Sequence, residues 1–159
     1  MSPKAHVLFI TLALSLAALL AAPAGVFAHC EVPCGIYGDD NRFSGMLEDI
    51  ATIEKAMKQI AALSAEGKTN YNQLVRWINT KEMHATKLQE TVWQYFLTQR
   101  VKPVAKGSPA YPAYQNKLEL LHHLSVYAMK AKQSIDLAVV QKLKDLAGQF
   151  QKAYMSKKK

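Results

Sequence analysis

The sequence predicts an all-α fold, an antiparallel four-helix bundle, and three observations predict it. Apolar residues recur at threes and fours along four stretches, the breaks between them are short, and strand-like alternation is missing. The first helix is expected from Arg42 to near Ser64, with Leu47, Ile50, Ile53, Met57 and Ile60 on its inner face. It follows a turn cluster, Gly38-Asp39-Asp40-Asn41, in which Asp40 or Asn41 serves as cap. A second, longer helix is expected from about Tyr71 to Val101, turning Leu74, Ile78, Ala85, Leu88, Val92 and Tyr95 inward. Residues 102–113 carry Pro103, Gly107, Pro109 and Pro112 and read as an ordered loop. The third helix spans about Tyr114 to Ala131 through Leu118, Leu121, Leu124 and Ala128, and the fourth about Ser134 to Tyr154 through Val139, Leu143, Leu146 and Phe150. Bundles host many activities, so the fold alone names none.

The first 28 residues have a different character. One lysine, Lys4, precedes an apolar stretch from Val7 to about Ala22, and Val26-Phe27-Ala28 offers the small residues a signal peptidase reads. Residues 1–28 are therefore expected to be a cleaved secretory leader, with the product exported to a periplasmic, lumenal or secreted compartment and not inserted stably in a membrane. Pro23 and Gly25 argue for a cleavage region over a membrane span. Cleavage after Ala28 leaves 131 residues, enough for one domain with one core. It removes Lys4 alone among charged side chains and leaves 19 Lys and Arg against 12 Asp and Glu, a formal +7. Part of that charge is the solvated tail Lys152 to Lys159, and no basic stripe is interleaved with aromatics, which speaks against nucleic acid as partner.

Both cysteines lie in residues 29–37, directly behind the expected cleavage site. Once Ala28 is removed, His29 offers a free α-amine and an imidazole, Cys30 an amide nitrogen and a thiol, and Cys34 a second thiol. The amine, the amide nitrogen and the Cys30 sulfur fall into fused chelate rings in one plane. Cys34 closes the fourth corner if the chain doubles back, and Pro33 and Gly35 suit such a hook. Planar nitrogen and sulfur donors suit nickel(II) or copper(II) rather than tetrahedral zinc. Copper(II) tends to oxidise paired thiolates, which favours nickel, with the imidazole as axial ligand of the higher oxidation state. The other reading is a Cys30–Cys34 disulfide, the usual fate of an even cysteine count in an exported chain. That alternative makes the protein a non-catalytic bundle that binds a partner or sequesters metal. A bridge closing so short a loop gains little in chain entropy and leaves His29 at the new terminus unexplained.

At these residues the sequence resembles the nickel superoxide dismutase family, whose mature N-terminus reads His-Cys-x-x-Pro-Cys-Gly-x-Tyr. Here it stands as His29-Cys30-Glu31-Val32-Pro33-Cys34-Gly35-Ile36-Tyr37. Trp93, Tyr95-Phe96 and Lys102-Pro103 are similar to a second stretch of that family, although the segment between Tyr95 and Lys102 is longer here. The resemblance implies a four-helix bundle behind an N-terminal metal-binding hook of residues 29–37, with the bundle domain in 38–159. It implies nickel on His29, Cys30 and Cys34, and superoxide as substrate, dismuted to dioxygen and hydrogen peroxide by cycling between nickel(III) and nickel(II). Tyr37 and Tyr95 would stand by the open axial face. Glu31 keeps the charge of an aspartate common at its position. Family members hold the ligand histidine by a glutamate of the first helix and, in some, an arginine of the second; Glu48 and His84 are the candidates here. A homohexamer is implied as well.

Other residues carry less. His122-His123 point about 100° apart on a helix and read as a solvated pair or a helix contact, and Glu82 and His84, two residues apart, likewise face away from each other. Met46, Met57, Met83 and Met129 read as packing, and Trp77 and Trp93 as anchors of the core or of a subunit contact. No phosphate loop, nucleophile elbow or paired-carboxylate motif is present.

Overall fold

The computed structural model describes residues 3–6, 11, 38–66 and 70–156. The leader's apolar stretch and the hook, with His29, Cys30, Glu31, Cys34, Tyr37 and the Cys30–Cys34 alternative, lie outside the described residues. Helix α1 is Asp39–Ala65. Helix α2 is Tyr71–Glu90 and continues without a break as a π-helix over Thr91–Arg100. Helices α3, Tyr111–Gln133, and α4, Leu137–Met155, complete the bundle, and no strand occurs among the described residues. Each helix packs on its sequence neighbours, and α4 closes the ring on α1.

Cross-helix bonds show that neighbours run antiparallel. Between α1 and α2, Asp49 meets His84 while Asp39 meets Arg100; between α1 and α4, Glu54 meets Lys144 while Asp39 meets Tyr154. The core holds most of the predicted inward residues, with Ile50, Ile53, Met57, Ala85, Leu88, Val92, Leu121, Leu124, Ala128, Leu143 and Phe150 fully buried, whereas Leu118 and Val139 are only partly buried and Leu120 and Val140 take the inner positions beside them.

Local chemistry sets the helix ends. The Asn70 side chain accepts from the Gln73 N–H at 3.2 Å and caps α2, and Asp136 accepts from Ala138 N–H at 2.9 Å and caps α4. The third helix starts at Tyr111, earlier than expected, because Pro112 falls in its first turn, where no amide hydrogen is required. The first helix also starts early. Gly38, at φ +83°, turns the chain into α1, so Asp39 and Asp40 form its first turn instead of a loop before it.

Four expectations are corrected. Leu47 is 44% exposed; the inward stripe of α1 runs Phe43, Met46, Ile50, Ile53, Met57, one residue to its side. Ile78 is 38% exposed and Leu74 half-buried, because the inward position on this part of α2 is taken by Lys81. Neither tryptophan anchors the core. Trp93 is largely exposed with its Nε1–H donated to Ser125 Oγ at 2.9 Å, and Trp77 is half-buried beneath the Lys55 ammonium. Met46 and Met57 do pack in the core, whereas Met83 and Met129 are exposed.

Candidate functional site

The bundle has one end at which the hook joins it, formed by the start of α1, the π-helical end of α2, the start of α3 and the end of α4. Aromatic rings fill this end. Phe96 lies 5.0 Å from Phe43 and 4.8 Å from Phe150, centroid to centroid, and edge-on to Tyr95 at 5.1 Å. Such contacts add about 0.5–1.5 kcal/mol each beyond simple burial. They give this end of the bundle a stiff floor.

Tyr95 sits in that floor, fully buried. Its hydroxyl donates to Asp39 Oδ1 at 2.5 Å, and the guanidinium groups of Arg42 and Arg100 approach its ring, at 4.9 and 5.3 Å from the centroid. Burial first, and then the bond to the Asp39 carboxylate, raise the Tyr95 pKa above the usual tyrosine value. The phenol stays neutral.

Asp39 itself is 2% exposed, which is unusual for an acid in a first helical turn. Its Oδ1 also accepts from Arg100 Nε at 2.9 Å and a terminal guanidinium nitrogen at 2.8 Å, and Oδ2 accepts from the Tyr154 hydroxyl at 3.1 Å. Burial and the neighbouring Asp39 charge push the Tyr154 phenol up to about 12, and the bond to Asp39 raises the Arg100 pKa further.

The π-helix makes this cluster possible. On an α-helix residues five apart point about 140° away from each other. Winding with bonds to the fifth residue stacks them instead, as in Val101 N–H to Phe96 C=O at 2.8 Å and Thr98 Oγ1 to Trp93 C=O at 2.8 Å. Tyr95 and Arg100 are five apart, and both reach Asp39.

Beside this cluster a cleft of about 430 Å³ opens between α1 and α2, lined by Arg42, Glu48, Asp49, His84, Lys87 and Glu90 among others. The structure thus brings Glu48 and His84, the two candidates for holding the ligand histidine, into one depression that begins at Asn41 and Arg42, in the first turn of α1. Glu48 does not contact His84 by any hydrogen bond; His84 Nδ1 pairs with Asp49 Oδ1 at 2.6 Å. That bond leaves Nε2 as the free edge of the ring. Burial raises the Asp49 pKa, against the lowering effects of His84 and Lys87. The His122 and His123 rings are 6.1 Å apart, and no group of three His, Cys, Asp or Glu that could hold a metal ion occurs among the described residues.

Sequence reasoning missed Asp39, Asp49, Arg100 and Tyr154. In the sequence Asp39 belongs only to the turn cluster before the first helix, and nothing singles out Arg100. Their partnership needs the π-winding, which has no simple signature in the residue pattern. Asp49 carried one usable signal: it precedes Ile50 on the stripe side of α1, facing the next helix.

Two thiols and a histidine set close together in the chain, ahead of the helical bundle, are donors suited to a thiophilic metal ion. The family model for nickel-containing superoxide dismutase matches residues 24–158, hook and bundle together. The chain belongs to the nickel-containing superoxide dismutase family, and is thereby a superoxide dismutase with nickel as cofactor. Comparison with curated proteins and with solved structures gives no match. No helix among the described residues is long and apolar enough to cross a membrane.

Proposed function

We propose that the working enzyme begins at His29, freed by removal of residues 1–28 during export, and that His29, Cys30 and Cys34 hold the nickel. The donor chemistry fits: anionic thiolates and an amide nitrogen favour a nickel ion over harder cations. When bound, nickel supplies the one-electron couple, nickel(III)/nickel(II), by which one superoxide is oxidised to dioxygen and the next reduced to peroxide.

The protein's own residues bind, orient and exclude. Tyr37, three residues after Cys34, is the hydroxyl that orders the incoming anion or a water and passes protons toward peroxide. Tyr95 acts from below with its proton held toward Asp39, so it supplies a fixed neutral wall rather than a second base. Glu48 and His84 steady the His29 ring from the cleft, with His84 oriented by Asp49. Glu31 keeps a negative charge next to Cys30. The homohexamer is part of this reading; the exposed apolar side chains of Ile78, Met83 and Trp93 are surface that assembly would cover.

One observation carries the proposal: the six fixed residues of the hook motif stand in order within the matched range, and the chain enters the bundle beside the cleft that holds Glu48 and His84. Replacing Cys30 or Cys34 with serine tests it. Each variant is expected to keep its helical circular dichroism and lose nickel and activity together. A folded, active variant with full nickel would refute the assignment.

A further inference from the structure

We propose that Asp39 is the positioning residue of the hook: by locking the first turn of α1 to Tyr95, Arg100 and Tyr154, it fixes the pose in which the N-terminal segment presents its donors. This rests on the reading of the hook given above. Asp39 is one of two buried charged side chains among the described residues, and it stands two residues after Tyr37, across the turn at Gly38. Its partners come from the end of α2 and the end of α4, 56, 61 and 115 residues away in the chain. The point at which the hook leaves the bundle is thus tied to two other helices.

Stability does not explain such a group. A buried ion pair is weak evidence for stability, since apolar residues of like volume often serve as well or better. The rings of Phe43, Phe96 and Phe150 already close this end of the core. What apolar packing lacks is direction. Among the described residues, three donors converge on Oδ1 and one on Oδ2, which holds the carboxylate, and with it the first peptide of α1, in its orientation. A segment of nine residues carrying all the metal donors inherits its starting point from that peptide. Groups behind the ligands that fix their pose commonly govern metal retention.

Asp39→Asn keeps the side chain's shape and removes its charge. In nickel-loaded protein, transfer of nickel to a chelator, followed by the loss of thiolate-to-nickel absorption, should accelerate about tenfold or more. After metal removal and reduction, iodoacetamide should alkylate Cys30 and Cys34 several-fold faster than in the parent, a readout that requires no nickel. Tyr154→Phe removes one hydroxyl and keeps the ring; it should shift both rates in the same direction by less. Circular dichroism shows which variants fold. Folded Asp39→Asn with both rates within about twofold of the parent would overturn the proposal, as would an unchanged Tyr154→Phe where Asp39→Asn does not fold. If the parent itself holds no nickel, the reading of the hook fails, and the alkylation rates still decide whether Asp39 holds the segment.

Discussion

The two ends of the bundle each bury one charge and treat it in opposite ways. At the hook end Asp39 is met by side chains: a guanidinium and two phenols drawn from other helices. At the far end Lys81, 4% exposed, is met mainly by backbone: its Nζ donates to the carbonyls of Ala131 at 2.8 Å, of Lys132, and of Ser134 at 3.3 Å, with the Glu82 carboxylate farther off at 3.4 Å. Those carbonyls belong to the C-terminal turn of α3, where acceptors are left over and the helix dipole is negative. The lysine completes the end of a helix, a requirement of the fold. Asp39 has no comparable debt to settle in α1, whose first-turn amides are ordinarily satisfied by water or a cap. Its network fixes the place from which the functional segment departs.

That contrast can be broken by substitution at either end. Asp39→Ala leaves the buried Tyr95 hydroxyl and the half-buried Arg100 guanidinium without their shared acceptor, and the expected loss is about 3 kcal/mol in chemical unfolding, together with poorer nickel retention. Lys81→Met strands partly buried carbonyls and is expected to cost about 1–3 kcal/mol, with activity per bound nickel unchanged. Equal loss of nickel from both variants would erase the distinction between the ends.

Smaller effects come from titration. Tyr154 has its pKa raised to about 12 in the fold from the usual 10, so the neutral phenol is what the folded state favours. Its contribution is fully present below pH 10 and is lost as pH rises from there through about 12. Absorbance near the tyrosinate band should show Tyr95 and Tyr154 ionising late; in Asp39→Asn that step should move to lower pH without disappearing, because burial, the larger cause, remains. Glu54 runs the other way. Its bonds to Lys144 and Lys58 lower its pKa to about 2 from 4.5, so its contribution is present above pH 4.5 and disappears as pH falls toward 2. The pairs are at the surface, and acid titration of stability should show no more than about 1 kcal/mol from them. Smallest of all, Leu47→Gln should change stability by no more than about 0.5 kcal/mol, because Leu47 lies outside the stripe that Met46 occupies.

The sequence made the four helices legible because burial imposes a period, and Ile50, Ile53, Met57, Leu121, Leu124 and Leu143 keep it. It misplaced Leu47 and Ile78 because a stripe's edge is decided by the crossing of neighbouring helices. The hook was legible for a different reason. The proposed donors His29, Cys30 and Cys34 are close together in the chain, so the chemistry proposed for them is read from local sequence and needs no packing argument. Glu48 and His84 were reachable through the resemblance to a family, and the structure sets them in one cleft. Asp39 and Arg100 were not reachable. A carboxylate in a Gly-Asp-Asp-Asn run reads as solvent-facing, and a contact across 61 residues that depends on a π-helix has no local trace.

The terminal residue and the nickel content of the purified active chain, read together by intact mass under native conditions, test the central claim most directly. The account predicts a chain that starts at His29 and carries nickel in equimolar amount. A fully active enzyme that retains residues before His29, or one that holds no nickel, would contradict it.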